Sequence, residues 1–237
     1  MGVKRNVEGA PAAIDFRNQP AYSLSEAAHY LRLSPGTLRS WIVGRPYSTT
    51  AGRRVFAPLL RPARKEPPTL SFLNLIEGHV LRALRTEHGV PVPAVRRALA
   101  YAEKELGIER LLLHQDLMTD AGRIFLERYG ELIDLSNSGQ LALRKVLQAH
   151  LRRVEWDARS LPVRLYPFLS SDGVTDGRPI SIDPQVAFGR PVVQRAGVST
   201  HTIAERIDAG ESVSDIAADY DLTETEIEQA VLYERAA

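Results

Sequence analysis

The sequence predicts a mainly α protein with a minor α+β part. It contains an N-terminal winged helix-turn-helix, a central α+β segment and a C-terminal helix-turn-helix-like unit of three short helices. Three observations lead to this fold class. Apolar residues recur at helical spacing, Ser or Thr followed three residues later by Glu marks helix starts, and Pro and Gly separate the segments. With 237 residues, 44% of them apolar and 25% charged, the composition is that of a globular protein.

The predicted boundaries divide the chain into four parts. They are a flexible arm over 1–20, the helix-turn-helix with its wing over 21–68, the central segment over 69–171 and the C-terminal unit over 172–237.

Two short helices are predicted within residues 21–44. Ser23 and Glu26 have the spacing of a capping box at the start of the first helix. Ser34 precedes a proline at the first position of the second helix, and Gly44 ends that helix. Two helices of this length joined by a short turn are typical of the helix-turn-helix unit.

The prolines that follow exclude a long helix and favour a wing. The stretch YSTTAGRRVFAPLL predicts a β-hairpin that turns at Ala51-Gly52. The central segment is predicted to hold helices over 70–90 and 93–106, strands over 110–138 with a turn at Tyr129-Gly130, a helix over 140–153 and the extended stretch LPVRLYPFL.

The C-terminal unit is predicted to begin with short strands on either side of the turn Phe188-Gly189-Arg190. Three short helices follow it. Ser199 and Ser212 can cap the first two, and Thr223 with Glu226 forms a second capping box before the third.

Charge is distributed unevenly along the chain. Residues 1–67 hold eleven Lys and Arg against four Asp and Glu, a net charge of +7, whereas residues 172–237 hold five against thirteen, a net charge of −8. A basic segment suits a polyanion because its cations displace the counterions condensed on phosphates. We therefore expect the N-terminal part to contact nucleic acid and the C-terminal part to contact protein.

Short polar and cationic side chains on the second helix and in the wing suit contacts to phosphates and base edges. The residues predicted to contact DNA are Thr37, Arg39 and Ser40 on the helix and Arg45, Tyr47, Arg53 and Arg54 in the following turn and wing. A single helix-turn-helix forms only a small interface with DNA. For specific binding we therefore expect a homodimer or a higher oligomer on repeated half-sites. The alternative interpretation is a helical packing module with a solvated face.

Nothing in the sequence indicates catalysis, a cofactor or a metal site. The six His residues show no HExxH spacing, and no GxGxxG, P-loop or GxSxG motif is present. The chain has no Cys, which excludes thiolate chemistry and makes a cytoplasmic location the natural one. No run of about 18 apolar residues occurs, so no membrane partner is expected.

Several motifs together resemble known families. IDPQVAFGRPVV and VSTHTIAERIDAGESVSDIAADYDLTETEIEQAVLYE resemble the DUF433 family of small antitoxin-like domains. Ahead of them, YSLSEAAHYLRLSPGTLRSWIVG looks like a MerR-type helix-turn-helix. The combination over nearly the full chain is similar to the longer VapB-type antitoxins, of the kind found in mycobacteria.

This resemblance implies a type II antitoxin that neutralises a PIN-domain ribonuclease toxin and represses its own operon by binding operator DNA. PIN nucleases gather carboxylates around a metal, and an inserted arginine would pair with them. The arginines that remain open for this role are Arg96, Arg97, Arg152, Arg153 and Arg190. Two alternatives stay open: a MerR-like regulator whose central segment senses a small molecule in an apolar pocket within 70–170, and a structural adaptor that does not contact DNA.

Overall fold

A computed structural model describes residues 15–50, 52–86, 90–105, 107–114, 150–167 and 178–235. Within these ranges the α-helices are α1 Leu24–Tyr30, α2 Pro35–Ile42, α3 Phe72–Thr86, α4 Val92–Glu105, α5 Thr200–Asp208, α6 Val213–Tyr220 and α7 Glu224–Arg235. The strands are β1 Tyr22–Ser23, β2 Arg45–Thr49, β3 Gly52–Phe56, β4 Thr69–Leu70, β5 Val154–Trp156, β6 Pro162–Leu165, β7 Ile180–Ser181, β8 Val192–Val193 and β9 Val198–Ser199. Helices are thus combined with small antiparallel sheets, in the order β1-β4, β2-β3, β5-β6 and β7-β8-β9. None of the described helices is long and apolar enough to cross a bilayer.

The N-terminal helices begin where their caps predict. The Ser23 hydroxyl accepts a hydrogen bond from the backbone N–H of Glu26, whose carboxylate accepts the N–H of Ser23 in return. Ser34 caps α2 by accepting the backbone N–H of Thr37. Leu38 and Trp41 of α2 are buried in the main hydrophobic core. The predicted helix-turn-helix is therefore present in the structure.

The wing follows α2 directly. Strands β2 and β3 pair antiparallel from Arg45 with Phe56 to Thr49 with Gly52, so the connection lies one residue earlier than predicted. Gly44 has φ of +87°, and a Cβ at this position would stand 2.3 Å from the carbonyl oxygen of Phe56. Only glycine permits this conformation and this approach, which bring the hairpin against the end of α2.

Helices α3 and α4 pack beside the helix-turn-helix and carry a buried polar network. The amide of Asn74 accepts the backbone N–H groups of Ala63 and Ser71 and donates to the carbonyl of Arg61 and the carboxylate of Glu77. The guanidinium of Arg110 donates two hydrogen bonds to Glu77, of 2.9 and 2.7 Å. The network ties the loop before α3 and the segment after α4 to one helix, and every member is satisfied.

Part of the central segment differs from the prediction. Leu111–Leu113 form a 3-10 helix, so the strand predicted from residue 110 is wrong here. Leu111 and Leu112 are both buried, whereas a half-buried strand would alternate. Residues 115–149, with the Tyr129-Gly130 turn and most of the helix predicted over 140–153, lie outside the described residues. The extended stretch LPVRLYPFL contains β6, which pairs with β5.

The described part of the C-terminal unit, residues 178–235, contains the predicted strands and three helices. Ser212 caps α6 through the backbone N–H of Asp215, and the capping box of Thr223 and Glu226 is formed before α7. Ser199 precedes α5 but makes no side-chain capping bond, which corrects the prediction for this residue. Ser199 is also the last residue of strand β9, where it pairs with Val192, so the sheet fixes the position of its backbone.

The C-terminal unit packs against the N-terminal part. The Tyr22 hydroxyl donates to the carbonyl of Gly189 at 3.0 Å, and His29 Nε2 lies 2.9 Å from Glu234 Oε2. Tyr233 on α7 is 1% exposed, and Arg32 lies over its ring. Burial raises the pKa of Tyr233 well above its usual value. The final helix therefore covers part of α1.

Candidate nucleic-acid interface

Helix α2 presents the residues predicted to read DNA. Thr37 and Arg39 are exposed, and Ser40 is half-buried. The Ser40 hydroxyl donates to the carbonyl of Thr37 at 2.7 Å, which fixes its orientation on the helix. The opposite face of α2 carries Leu38 and Trp41 into the core, so the polar face is left toward solvent.

The wing extends this polar face. Arg45, Tyr47 and Arg54 lie on the hairpin, with Tyr47 opposite Arg54 in the register. The ring of Tyr47 stacks on Phe56 at a centroid distance of 4.0 Å and an interplanar angle of 20°. Arg53 also lies on β3, and its side chain is outside the described part of the structure. The stack stiffens the hairpin that carries the arginines.

The arginines of this surface are available to a ligand. Arg39, Arg45 and Arg54 are exposed, and within the described ranges their side chains form no ion pair or hydrogen bond. A guanidinium that has no partner in the protein loses no intramolecular hydrogen bond when it binds a phosphate. It also supplies up to five hydrogen-bond donors. The surface thus presents exposed positive charge to solvent.

The fold adds two arginines that the sequence analysis did not place here. A cavity of about 450 Å³ lies where α2, the wing and the start of α4 meet. Its lining comprises Ser40, Trp41, Arg45, Phe56, Leu59, Val92, Pro93, Arg96 and Arg97. Arg96 and Arg97, predicted to contact a toxin, therefore share a depression with two of the predicted DNA contacts. No local sequence signal could show this, since about fifty residues separate the two groups.

Two family models match separate parts of the chain. Residues 20–99 match the sequence model of a family described as "Putative DNA-binding HTH domain", and residues 180–233 match DUF433, described as a protein of unknown function. After the families they match, residues 20–99 are called the helix-turn-helix domain below, and residues 180–233 the DUF433 domain. The resemblance noted from the sequence is confirmed for both parts.

Relatives match over nearly the whole chain. "Putative antitoxin VapB45" of Mycobacterium tuberculosis strain H37Rv is 28% identical over 232 residues, which cover 90% of this chain and 92% of that protein. "Uncharacterized protein Rv2308" of the same organism is 25% identical over 232 residues, 91% of this chain and 90% of that one. The X-ray crystal structure of Rv2018 from Mycobacterium tuberculosis has a TM-score of 0.64 and 23% identity, covers 90% of this chain and 97% of that chain, and shows the same fold.

The other arginines predicted for toxin contact are not gathered with Arg96 and Arg97. Arg152 is exposed and Arg153 is half-buried, just before β5. Arg190 follows the turn of the DUF433 domain, with a guanidinium nitrogen 3.6 Å from a carboxylate oxygen of Glu26. The five predicted residues therefore lie on at least two separate surfaces.

Buried histidines of the central segment serve the core. His79 on α3 is 2% exposed, and its ring centroid lies 5.1 Å from that of His150. Burial, together with the neighbouring His150 and Arg153, lowers the pKa of His79 to about 3. The imidazole is therefore neutral near pH 7 and packs as an uncharged ring. Within the ranges that the structure describes, no group of three or more His, Asp or Glu side chains is placed to hold a metal ion.

Proposed function

We propose that this chain is an antitoxin that binds its own operator through the helix-turn-helix domain. The observation that carries the DNA-binding part is the set of exposed arginines Arg39, Arg45 and Arg54, which form no ion pair or hydrogen bond among the described residues. They lie within a segment that matches a family described as a putative DNA-binding HTH domain. Thr37, Arg39 and Ser40 contact the major groove, and Arg45, Tyr47, Arg53 and Arg54 contact the adjacent backbone. Catalysis is no part of this function.

The antitoxin part rests on the named relative that matches 90% of the chain and on the VapB-type resemblance. The partner is a PIN-domain ribonuclease, whose metal-binding carboxylates are neutralised by an arginine of this chain. Of the five candidates, Arg97, Arg152 and Arg190 are exposed, and Arg96 and Arg153 are half-buried.

DNA binding is tested with a fluorescent duplex from the region upstream of the gene, titrated over a range of salt concentrations. Arg39→Ala and Arg54→Ala each reduce the slope of log affinity against log salt by about 1, since each removes one cation. Arg159→Ala, in the loop between β5 and β6, is the matched control because Arg159 is also exposed. Equal slopes for all three variants would contradict the assignment of this surface.

Neutralisation is tested by co-expression with the product of the neighbouring gene and measurement of RNA cleavage by the purified complex. The proposal expects a stable complex without cleavage, and cleavage restored by substitution of the neutralising arginine. Undiminished cleavage in the presence of the wild-type chain would contradict it. This measurement does not involve DNA, so its outcome is separate from that of the operator titration.

A second candidate function is a MerR-like regulator that senses a small molecule. The observation that favours it is the cavity at Trp41, Phe56 and Leu59, which has the volume of a small ligand site. Only the α4 part of its lining lies within residues 70–170, where the sequence predicted such a pocket. Native mass spectrometry of the chain purified from its host tests this function. A bound small molecule whose removal changes operator affinity would favour the sensor over the antitoxin.

A further inference from the structure

The DUF433 domain displays one aromatic side chain to solvent. Phe188 is 94% exposed, the most exposed large apolar side chain in the described residues. Its backbone is unusual as well, since Ala187, Phe188 and Gly189 all have left-handed conformations, with φ of 47°, 56° and 77°. Left-handed backbone is unfavourable for alanine and phenylalanine, and such strain persists only where the surroundings impose it.

The surroundings do impose it. The carbonyl of Gly189 accepts a hydrogen bond from the hydroxyl of Tyr22. A Cβ on Gly189 would stand 2.2 Å from the hydroxyl oxygen of Tyr22. Asp183 accepts the backbone N–H of Gln185 and is itself bound by Arg164 at 2.9 Å. The turn is thus fixed at both ends by buried or half-buried groups. Phe188 is held out from the surface before any partner arrives, which lowers the entropy that binding would lose.

A cleft opens beside this projecting ring. It has a volume of about 820 Å³, and it lies between α1, the turn and the start of α5. Its lining comprises Ser25, Glu26, His29, Tyr30, Ala187, Phe188, Arg190, Pro191, Ser199, His201, Thr202 and Glu234. Phe188 forms one edge of the cleft, so a projection and a recess large enough to hold it occur side by side on the same surface.

We propose that a second copy of this chain covers this surface, in a two-fold dimer in which Phe188 of each copy enters the cleft of the other. In a two-fold interface the same patch meets itself, so a projection must lie beside the recess that receives it. The cleft meets this condition, and charges of both signs, Arg190 with Glu26 and Glu234, stand around it. A patch with both signs can face its own copy without net repulsion.

None of the residues predicted to contact DNA lies in this surface, so the proposal goes beyond the proposed function and does not depend on it. The entering ring occupies the centre of the interface, the position at which aromatic side chains contribute most to affinity. Arg190, a candidate for toxin contact, lies at its edge. A toxin that used the same surface would compete with the second copy.

Sedimentation velocity over a concentration series of the full chain tests the proposal. Phe188→Asn removes the ring but keeps a residue that tolerates left-handed backbone, so the turn is preserved. It raises the dimer dissociation constant at least about tenfold. Leu232→Asn on α7, which removes another exposed apolar side chain, leaves the constant unchanged. A chain that is monomeric at every concentration, or a dimer equally stable in both variants, would overturn the proposal.

Cross-linking locates the contact. The native chain has no cysteine, so single cysteines can be introduced without background. A tagged Phe188→Cys chain mixed with an untagged Thr202→Cys chain forms a disulfide between two copies, while Val55→Cys mixed with Thr202→Cys does not. If Phe188→Asn releases a co-purifying nuclease while the chain alone stays monomeric, the surface belongs to that partner and the dimer is overturned.

Discussion

The hydroxyl of Tyr22, on the strand that precedes α1, donates a hydrogen bond of 3.0 Å to the carbonyl of Gly189, which lies 167 residues further along the chain. Tyr22 is 2% exposed, and burial raises the pKa of its phenol well above the usual value, so it remains a donor at any physiological pH. The contact joins the helix-turn-helix domain to the turn that carries Phe188.

Gly189→Ala tests this junction. The added Cβ would meet the Tyr22 oxygen, so one of the two chain segments must move. Gly197→Ala is the matched control, since Gly197 also has positive φ, +67°, but no atom lies within 4 Å of the position of its Cβ. We expect the control to lower the free energy of unfolding by about 1 kcal/mol through backbone conformation alone. Gly189→Ala lowers it by about 2 kcal/mol more, measured by urea unfolding. Equal losses would show that the junction accommodates the methyl group.

Gly44→Ala tests the close packing of the wing against the end of α2. The new Cβ would clash with the backbone of Phe56, which is the last residue of the hairpin. We expect a loss of about 2 kcal/mol beyond that of Gly210→Ala, a control at which φ is +93° and the surroundings are open. Operator affinity falls for Gly44→Ala and is unchanged for Gly210→Ala. Full operator affinity in the first variant would show that the wing position does not matter for binding.

Asn74→Ala removes the centre of the buried polar network. The side chain is 1% exposed, and its loss leaves two backbone N–H groups and the Glu77 carboxylate with fewer partners. We expect the free energy of unfolding to fall by about 3 kcal/mol. Asn18→Ala, which removes only an exposed acceptor of Arg110, costs less than about 1 kcal/mol. Similar losses in the two variants would mean that water replaces the buried amide.

His79 makes stability depend on pH. Its pKa is about 3 in the folded state and near 6.5 when unfolded, so between these values only the unfolded chain takes up a proton. The contribution of neutral His79 to the free energy of unfolding is complete above pH 6.5. Between the two pKa values it decreases by about 1.4 kcal/mol for each pH unit that the pH falls. His79→Gln reduces this slope in urea unfolding at pH 7, 6 and 5. His201→Gln, at an exposed imidazole, is the control, and an unchanged slope in His79→Gln would refute the assignment.

Local structure could be read from the sequence because its causes are local. Ser23 with Glu26 and Thr223 with Glu226 satisfy helix donors within four residues, so their spacing alone locates the helix starts. The 3-10 helix at Leu111–Leu113 was not predicted, because its leucines are buried against α3 and α4, and a short stretch of sequence does not contain those helices.

The arrangement of sites could not be read in this way. Arg96 stands beside Arg45 only because α4 folds back onto the wing, and Tyr22 meets Gly189 only because the two domains pack together. Each pairing joins residues with no shared pattern in sequence. The predicted DNA-contact residues could be listed from charge and helix face, but the position of Arg96 and Arg97 in the same cavity as Ser40 and Arg45 became visible only in the fold.

The closure of α7 over α1 has a consequence for synthesis. The Tyr233 hydroxyl donates to the carbonyl of Tyr30 across 203 residues, so α1 leaves the ribosome long before the helix that covers it exists. The nascent chain carries this face of α1 uncovered until α7 emerges. The packing of α1 is therefore completed only after α7 has been synthesised, so the two ends of the chain finish folding together.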